Sequence, residues 1–255
     1  MVCKGTHEGS PYVLVTPHPI EISMKFGVIT FPGSNCDRDV VYVTRDILKR
    51  PTHRIWHEDS DLGDVDVVVI PGGFSYGDYL RCGAVAQFSP AMRSVIEFAN
   101  QGGLVLGICN GFQILTEVGL LPGALMRNRD MRFICDRTPL KVERTDLTWT
   151  QNYTQGEIVT IPIAHGEGCY YADADTLKSL EDNQQVVFRY SNLEGTVDNS
   201  SNPNGSLNNI AGICNKAGNV LGMMPHPERA ADSRLGGTNG LAVFESVLAT
   251  ALSTV

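Results

Sequence analysis

The sequence has no Cys-x-x-Cys pair, no G-x-x-x-x-G-K-[ST] loop, and no apolar run approaching the roughly 20 residues of a membrane-spanning helix. The first absence, with an odd number of seven widely spaced cysteines, argues against a disulfide or zinc framework and for a reduced, cytoplasmic protein. The second leaves the chain without a recognisable ATP site. The third argues against a membrane role. Basic residues are scarce too: 20 Lys and Arg stand against 28 Asp and Glu, a formal net charge of −8. An acidic surface repels phosphate backbones and anionic lipid, so neither nucleic acid nor membrane is expected as a partner. Only six histidines are available for acid–base chemistry, and two of them, His7 and His18, lie in a start broken by Pro11, Pro17 and Pro19. Residues 1–23 therefore read as a disordered leader or an upstream start, and 24–255 as a single domain.

What is there is a regular alternation. "KFGVITF" (25–31), "HRIWH" (53–57), "DVDVVVI" (64–70) and "LVLGI" (104–108) are short apolar runs of strand type. Between them, "DRDVVYVTRDILKR" (37–50) and "SPAMRSVIEFANQGG" (89–103) have helical spacing, the second with Ser89 as N-cap and Pro90 at the first helical position. Continuous apolar strands alternating with helices predict an α/β fold, a doubly wound, mostly parallel sheet with helices on both faces. After about residue 130 the texture changes to antiparallel strands with polar alternation, as in "GEIVTIPIAHGEGCYY" (156–171). A short helix is expected at 173–183, turns at "NPNGS" (202–206) and "KAGN" (216–219), and a closing helix near the C-terminus.

One stretch carries chemistry. In "LVLGICNGFQIL" (104–115) Cys109 stands between Gly107 and Gly111 where a strand gives way to a helix. G-x-C-x-G at such a junction is the thiol counterpart of the nucleophile elbow. It would project Cys109 at the carboxyl end of the sheet and beside a helix N-terminus, whose partial positive charge favours an anionic sulfur. A cysteine nucleophile needs a base, and the base needs an orienting group. His53 and His57 flank a short strand and read as surface or core residues. His226, in "GMMPHPERA", is held extended by Pro227, so Glu228 two residues on lies to the same side. Cys109, His226 and Glu228 thus form a candidate triad. The N–H groups of Asn110 and of Gly73, in "PGGFS" (71–75), are candidates for the oxyanion hole.

These residues carry a resemblance. "GICNGFQIL" with a distant "PHPE" resembles the class I, triad-type glutamine amidotransferases. "FPGSNCDRD", "PGGFSYGDYLR", "PIAHGEG" and "NPNGSLNNIAGI" narrow it to the glutaminase subunits of phosphoribosylformylglycinamidine synthases, over residues 25–252. The resemblance implies that Cys109 attacks the side-chain amide of glutamine and forms a glutamyl thioester, that His226 held by Glu228 shuttles protons, and that ammonia passes to a larger synthetase subunit. ATP and Mg²⁺ would act in that partner, a small third subunit would bridge the two, and this chain would hold no cofactor and no metal. It further implies that Gln113, Gly72 and Gly73 line the glutamine pocket and that His165 and Glu167 lie near the site or a partner interface. Cys169 departs from the pattern, since a longer polar or basic side chain is expected after "HGEG". Two other readings compete: a stand-alone cysteine hydrolase of similar fold, and a degenerate scaffold. The intact "PHPE" and "GGFSYGD" argue against the first, and the presence of Cys109, His226 and Glu228 argues against the second.

Overall fold

The apolar run "VVVI" forms an interior strand, third from one edge of a nine-stranded sheet, with every side chain buried. The computed structural model describes residues 24–253, so the reading of 1–23 as a leader lies outside the described residues. The strands are β1 (Phe26–Thr30), β2 (Thr52–Trp56), β3 (Val67–Ile70), β4 (Leu104–Ile108), β5 (Ala124–Met126), β6 (Ile134–Val142), β7 (Ile158–His165), β8 (Cys169–Tyr171), β9 (Val186–Tyr190), β10 (Ile210–Cys214) and β11 (Val220–Met223). The helices are α1 (Asp37–Val41, continuing as a π-helical turn over Tyr42–Ile47), α2 (Pro90–Asn100), α3 (Asn110–Glu117), α4 (Ala174–Asp182) and α5 (Leu241–Ser253).

The large sheet runs β2-β1-β3-β4-β11-β10-β9-β6-β7, and β5 pairs separately with β8. β2, β1, β3, β4 and β11 are parallel, as the continuous apolar runs predict. The remaining four strands add antiparallel. The chain leaves β1 towards β2 on one side and reaches β3 on the other, so the order reverses at β1. The loops after β1 and β3 therefore flank a topological switch point, where open α/β sheets place their sites.

Helix positions follow local chemistry. Ser89 caps α2, its hydroxyl accepting from the Met92 N–H at 3.3 Å, with Pro90 behind it. α2 buries Ala91, Met92, Val95 and Ala99 along one stripe. α3 is different: Asn110 through Leu115 are all buried, so it runs through the core. β7 alternates strictly, burying Val159, Ile161, Ile163 and His165. The same parity that points isoleucines inward points His165 inward.

The elbow depends on one close approach. A Cβ added at Gly111 would lie 2.0 Å from the Ile70 carbonyl oxygen, so only glycine lets α3 start this near the end of β3. Gly111→Ala is expected to destabilise the fold by about 3 kcal/mol or more, since neither backbone can yield. An unchanged urea midpoint would show that α3 can shift away without cost.

Candidate active site

Cys109 ends β4 and caps α3. Its backbone has φ 50° and ψ −104°, a region that side-chain-bearing residues rarely adopt. It is held there by hydrogen bonds on both sides: its N–H donates to the Met223 carbonyl at 2.8 Å, and its carbonyl accepts from Gln113 N–H at 3.1 Å. The thiol is buried, 3.7 Å from the Ala164 carbonyl oxygen. Asn110 opens α3, so its N–H has no acceptor within the helix and is free in direction to meet an oxyanion.

His226 follows β11, next in the sheet to β4. Its N–H donates to the Pro162 carbonyl at 2.7 Å, which ties it to β7. β7 lies at the far end of the strand order, yet the sheet curls so that its C-terminal half returns over the elbow. The His226 Nδ1 lies 2.6 Å from Glu228 Oε1, both side chains are fully buried, and Nε2 has no hydrogen-bond partner. Burial opposes the imidazolium, but the Glu228 carboxylate and the Cys109 sulfur outweigh it and hold the His226 pKa well above 6.5. The arrangement offers a thiol, a base whose second nitrogen is unengaged, and an anion fixing the base's orientation.

Gly72 and Gly73 close the loop after β3. A Cβ at Gly72 would meet His226 Cε1 at 2.6 Å, so the glycine borders the imidazole directly. Gly73 has φ 145° and bridges to Ser34 of the loop after β1. The side chain of Asn110 fastens this loop to the elbow by accepting from Ser75 N–H at 3.1 Å. Both proposed oxyanion donors are thereby held in one rigid unit.

Gln113 is buried, with its amide engaged at both ends: its Oε1 accepts from Asn110 Nδ2 at 2.9 Å and its Nε2 donates to the Glu167 carbonyl at 2.6 Å. In this structure it braces the 165–168 loop against α3. The Glu167 carboxylate pairs with Arg127 at 3.4 Å. His165 is buried beside the triad. Its Nδ1 lies 3.1 Å from Asn128 Oδ1, and burial together with the charge of His226 pushes its pKa down to about 4. His165 is therefore neutral at physiological pH. Its pKa is about 6.5 in the unfolded chain, so the unfolded state binds more protons as pH falls from 6.5 to 4, and stability drops by as much as roughly 3 kcal/mol. Replacing it by His165→Gln should flatten this acid limb in urea titrations between pH 7.5 and pH 4.5. An unchanged limb would place the destabilisation elsewhere.

Two residues of this site give no local signal in the sequence. Asn128 saturates its amide: Nδ2 donates to the carbonyls of His165 and Arg132 at 2.8 Å each, and Oδ1 accepts from Gly168 N–H at 3.0 Å. Cys36, after β1, is buried against the imidazole. The 202–206 segment is more than the turn expected from "NPNGS". Asn204 Nδ2 donates to the Gly168 carbonyl at 2.8 Å, and Ser206 Oγ accepts from Tyr170 N–H at 2.9 Å, so it supports the "HGEG" loop from behind. Cys169 starts β8 opposite Met126 and is half-buried. Of the other histidines, His53 is exposed and His57 is buried against the Tyr76 hydroxyl at 2.6 Å. All six cysteines among the described residues are free, and Cys135 is exposed.

A cysteine elbow on a doubly wound sheet, served by a histidine and glutamate from the neighbouring strand's exit, defines the class I glutamine amidotransferases. Sequence comparison agrees. Residues 23–235 match the family described as the CobB/CobQ-like glutamine amidotransferase domain. A protein of Acaryochloris marina named phosphoribosylformylglycinamidine synthase subunit PurQ is 68% identical over 225 residues, covering 88% of this chain and 96% of that protein. The protein of that name from Gloeobacter violaceus is 67% identical over 232 residues, covering 91% and 100%. A solved structure of PurLQS from Thermotoga maritima superposes with a TM-score of 0.80 at 42% identity, covering 90% of this chain and 100% of that one. The chain belongs to the PurQ family of phosphoribosylformylglycinamidine synthase subunits.

Proposed function

We propose that this chain is the glutaminase subunit of phosphoribosylformylglycinamidine synthase, acting in purine biosynthesis, with Cys109 as nucleophile and His226 and Glu228 completing the triad. The observation that carries the chemistry is the strained Cys109 elbow beside a buried histidine whose Nδ1 is held 2.6 Å from a carboxylate and whose Nε2 is unengaged. Cys109 passes its thiol proton to His226 as Sγ attacks the side-chain carbonyl carbon of glutamine, and the N–H groups of Gly73 and Asn110 receive the oxyanion. His226 delivers a proton to the departing amine, ammonia leaves, and a glutamyl thioester remains. Water, deprotonated by His226, attacks the thioester carbon, glutamate departs and the thiol is restored. Gly72 and Gly73 line the pocket, and Gln113 and His165 border it. Residues 24–255 act as one glutaminase domain.

The partners are the large synthetase subunit and the small bridging subunit of the same complex, in the cytoplasm. Ammonia passes to the synthetase, where ATP and Mg²⁺ activate formylglycinamide ribonucleotide for conversion to the amidine. The deciding experiment is glutamate release from glutamine by the purified chain, with and without the two partners and their substrates. Strong stimulation, blocked by a glutamine-like thiol alkylator, is expected. High activity indifferent to the partners would indicate a stand-alone hydrolase, and inactivity in every combination a scaffold.

A further inference from the structure

Cys36 takes no part in the triad, yet its thiol stands against it. The Cys36 sulfur, a ring nitrogen of His226 and a carboxylate oxygen of Glu228 all lie within 4.8 Å of one another, and all three residues are buried. A Cβ built on Gly72 would fall 3.1 Å from Cys36 Sγ, 2.6 Å from His226 Cε1 and 3.3 Å from His226 Nδ1, so the glycine leaves open the space bordered by thiol and imidazole. The second oxygen of Glu228, Oε2, is buried without a hydrogen-bond partner. Arg229 Nη2 lies 3.1 Å from Cys36 Sγ, and its charge is answered by Asp39, 3.2 Å from its Nε.

We propose that Cys36, His226 and Glu228 form an inhibitory site for a thiophilic divalent cation of the zinc class. One sulfur, one imidazole nitrogen and one carboxylate oxygen are a zinc donor set, with a fourth position left for water. Ligand bonds of about 2.0–2.3 Å place tetrahedral donors roughly 3.3–3.7 Å apart. The present spacing reaches that after a small inward movement of the thiol and a widening of the His226–Glu228 contact. Binding displaces two protons to solvent, the Cys36 thiol proton and the one shared by His226 and Glu228. The thiolate and carboxylate neutralise the metal's two charges, and nothing is oxidised or reduced. An imidazole held by the metal can no longer carry protons for Cys109, so the metal would switch the glutaminase off reversibly. Cys36 lies 190 residues before His226 in the chain, so the three ligands form no sequence motif.

The test starts from the full-length Cys109→Ala protein, which removes the nucleophile as a competing thiolate. Titration with Cd²⁺ is expected to produce a sulfur-to-metal charge-transfer band saturating at one equivalent. That band should be missing when Cys36→Ser is added. Zinc X-ray absorption on Cys109→Ala should find one sulfur at about 2.3 Å with nitrogen and oxygen at about 2.0–2.2 Å. A band that survives Cys36→Ser, or a shell with no sulfur or with several, would overturn the site. In the assembled complex, Zn²⁺ should suppress glutamine-dependent activity and a chelator restore it. Half-inhibition of Cys36→Ser, measured against its own uninhibited rate, should need at least roughly 100-fold more metal. This arm rests on the triad reading. A bound metal of the expected ligation that leaves glutamine hydrolysis untouched would refute His226 as the proton carrier while leaving the metal site standing.

Discussion

Cys109→Ala is expected to lower glutamine-dependent synthesis by the complex at least ~10⁴-fold while leaving ammonia-dependent synthesis near the wild-type rate. The thioester cannot form at the elbow without the Cys109 sulfur. Alanine keeps the Cβ that the φ 50° backbone already accommodates and removes only the thiol, which lies 3.7 Å from the Ala164 oxygen. The folded state should therefore survive. Free ammonia bypasses the glutaminase and reports whether the partner's site and the assembly are intact. An equal fall in both activities would mean that the substitution acts on assembly, and the role assigned to Cys109 would be lost.

Glu228→Gln should cost roughly 10³- to 10⁴-fold in glutamine-dependent kcat, because an amide at this position can hold the wrong tautomer of His226 and cannot stabilise its imidazolium. It also changes the pH dependence of stability. In the wild-type protein the folded-state pKa of His226 is raised above 6.5, chiefly because the Glu228 carboxylate outweighs burial. The stability this confers is fully present below about pH 6.5 and is lost as pH rises through the raised folded value. Glutamine removes the anion, burial then dominates, and the imidazole prefers to be neutral. The stability difference between wild type and variant should accordingly be largest near pH 6 and shrink as pH rises. Urea titrations at several pH values, paired with the pH profile of kcat/KM, would check this. A difference that stays constant with pH would show that Glu228 acts through packing alone.

Much of this was legible along the chain because it depends on local chemistry. Strand β4 and helix α3 follow from an apolar run that meets helical spacing at a glycine-framed cysteine, and α2 from Ser89 and Pro90 at its start. His226 and Glu228 meet as expected, but not through the extended backbone read from Pro227: Pro227–Arg229 form a 3-10 turn with His226 as its N-cap, and this turn brings Oε1 of Glu228 to Nδ1 of His226. The inward direction of His165 is likewise contained in the alternation of β7.

The rest was decided by the curl of the sheet and by contacts between distant segments. Periodicity says which side of β7 is buried but not that its C-terminal half returns over the elbow, placing Pro162 on His226 and Ala164 on Cys109. Nor does an isolated asparagine announce that Asn128 will satisfy four backbone and side-chain groups around "HGEG". The Gln113 amide, expected at the substrate, is engaged by Asn110 and the Glu167 carbonyl. Cys36, which reads as one more small buried residue, is brought to His226 only by the meeting of the loops after β1 and β3 at the switch point. The nucleophile, its base and the base's anchor are each written in a few adjacent residues, since backbone strain and side-chain direction are short-range properties. Which groups surround them is set by long-range strand order and burial, and these exist only once the sheet has closed around the site.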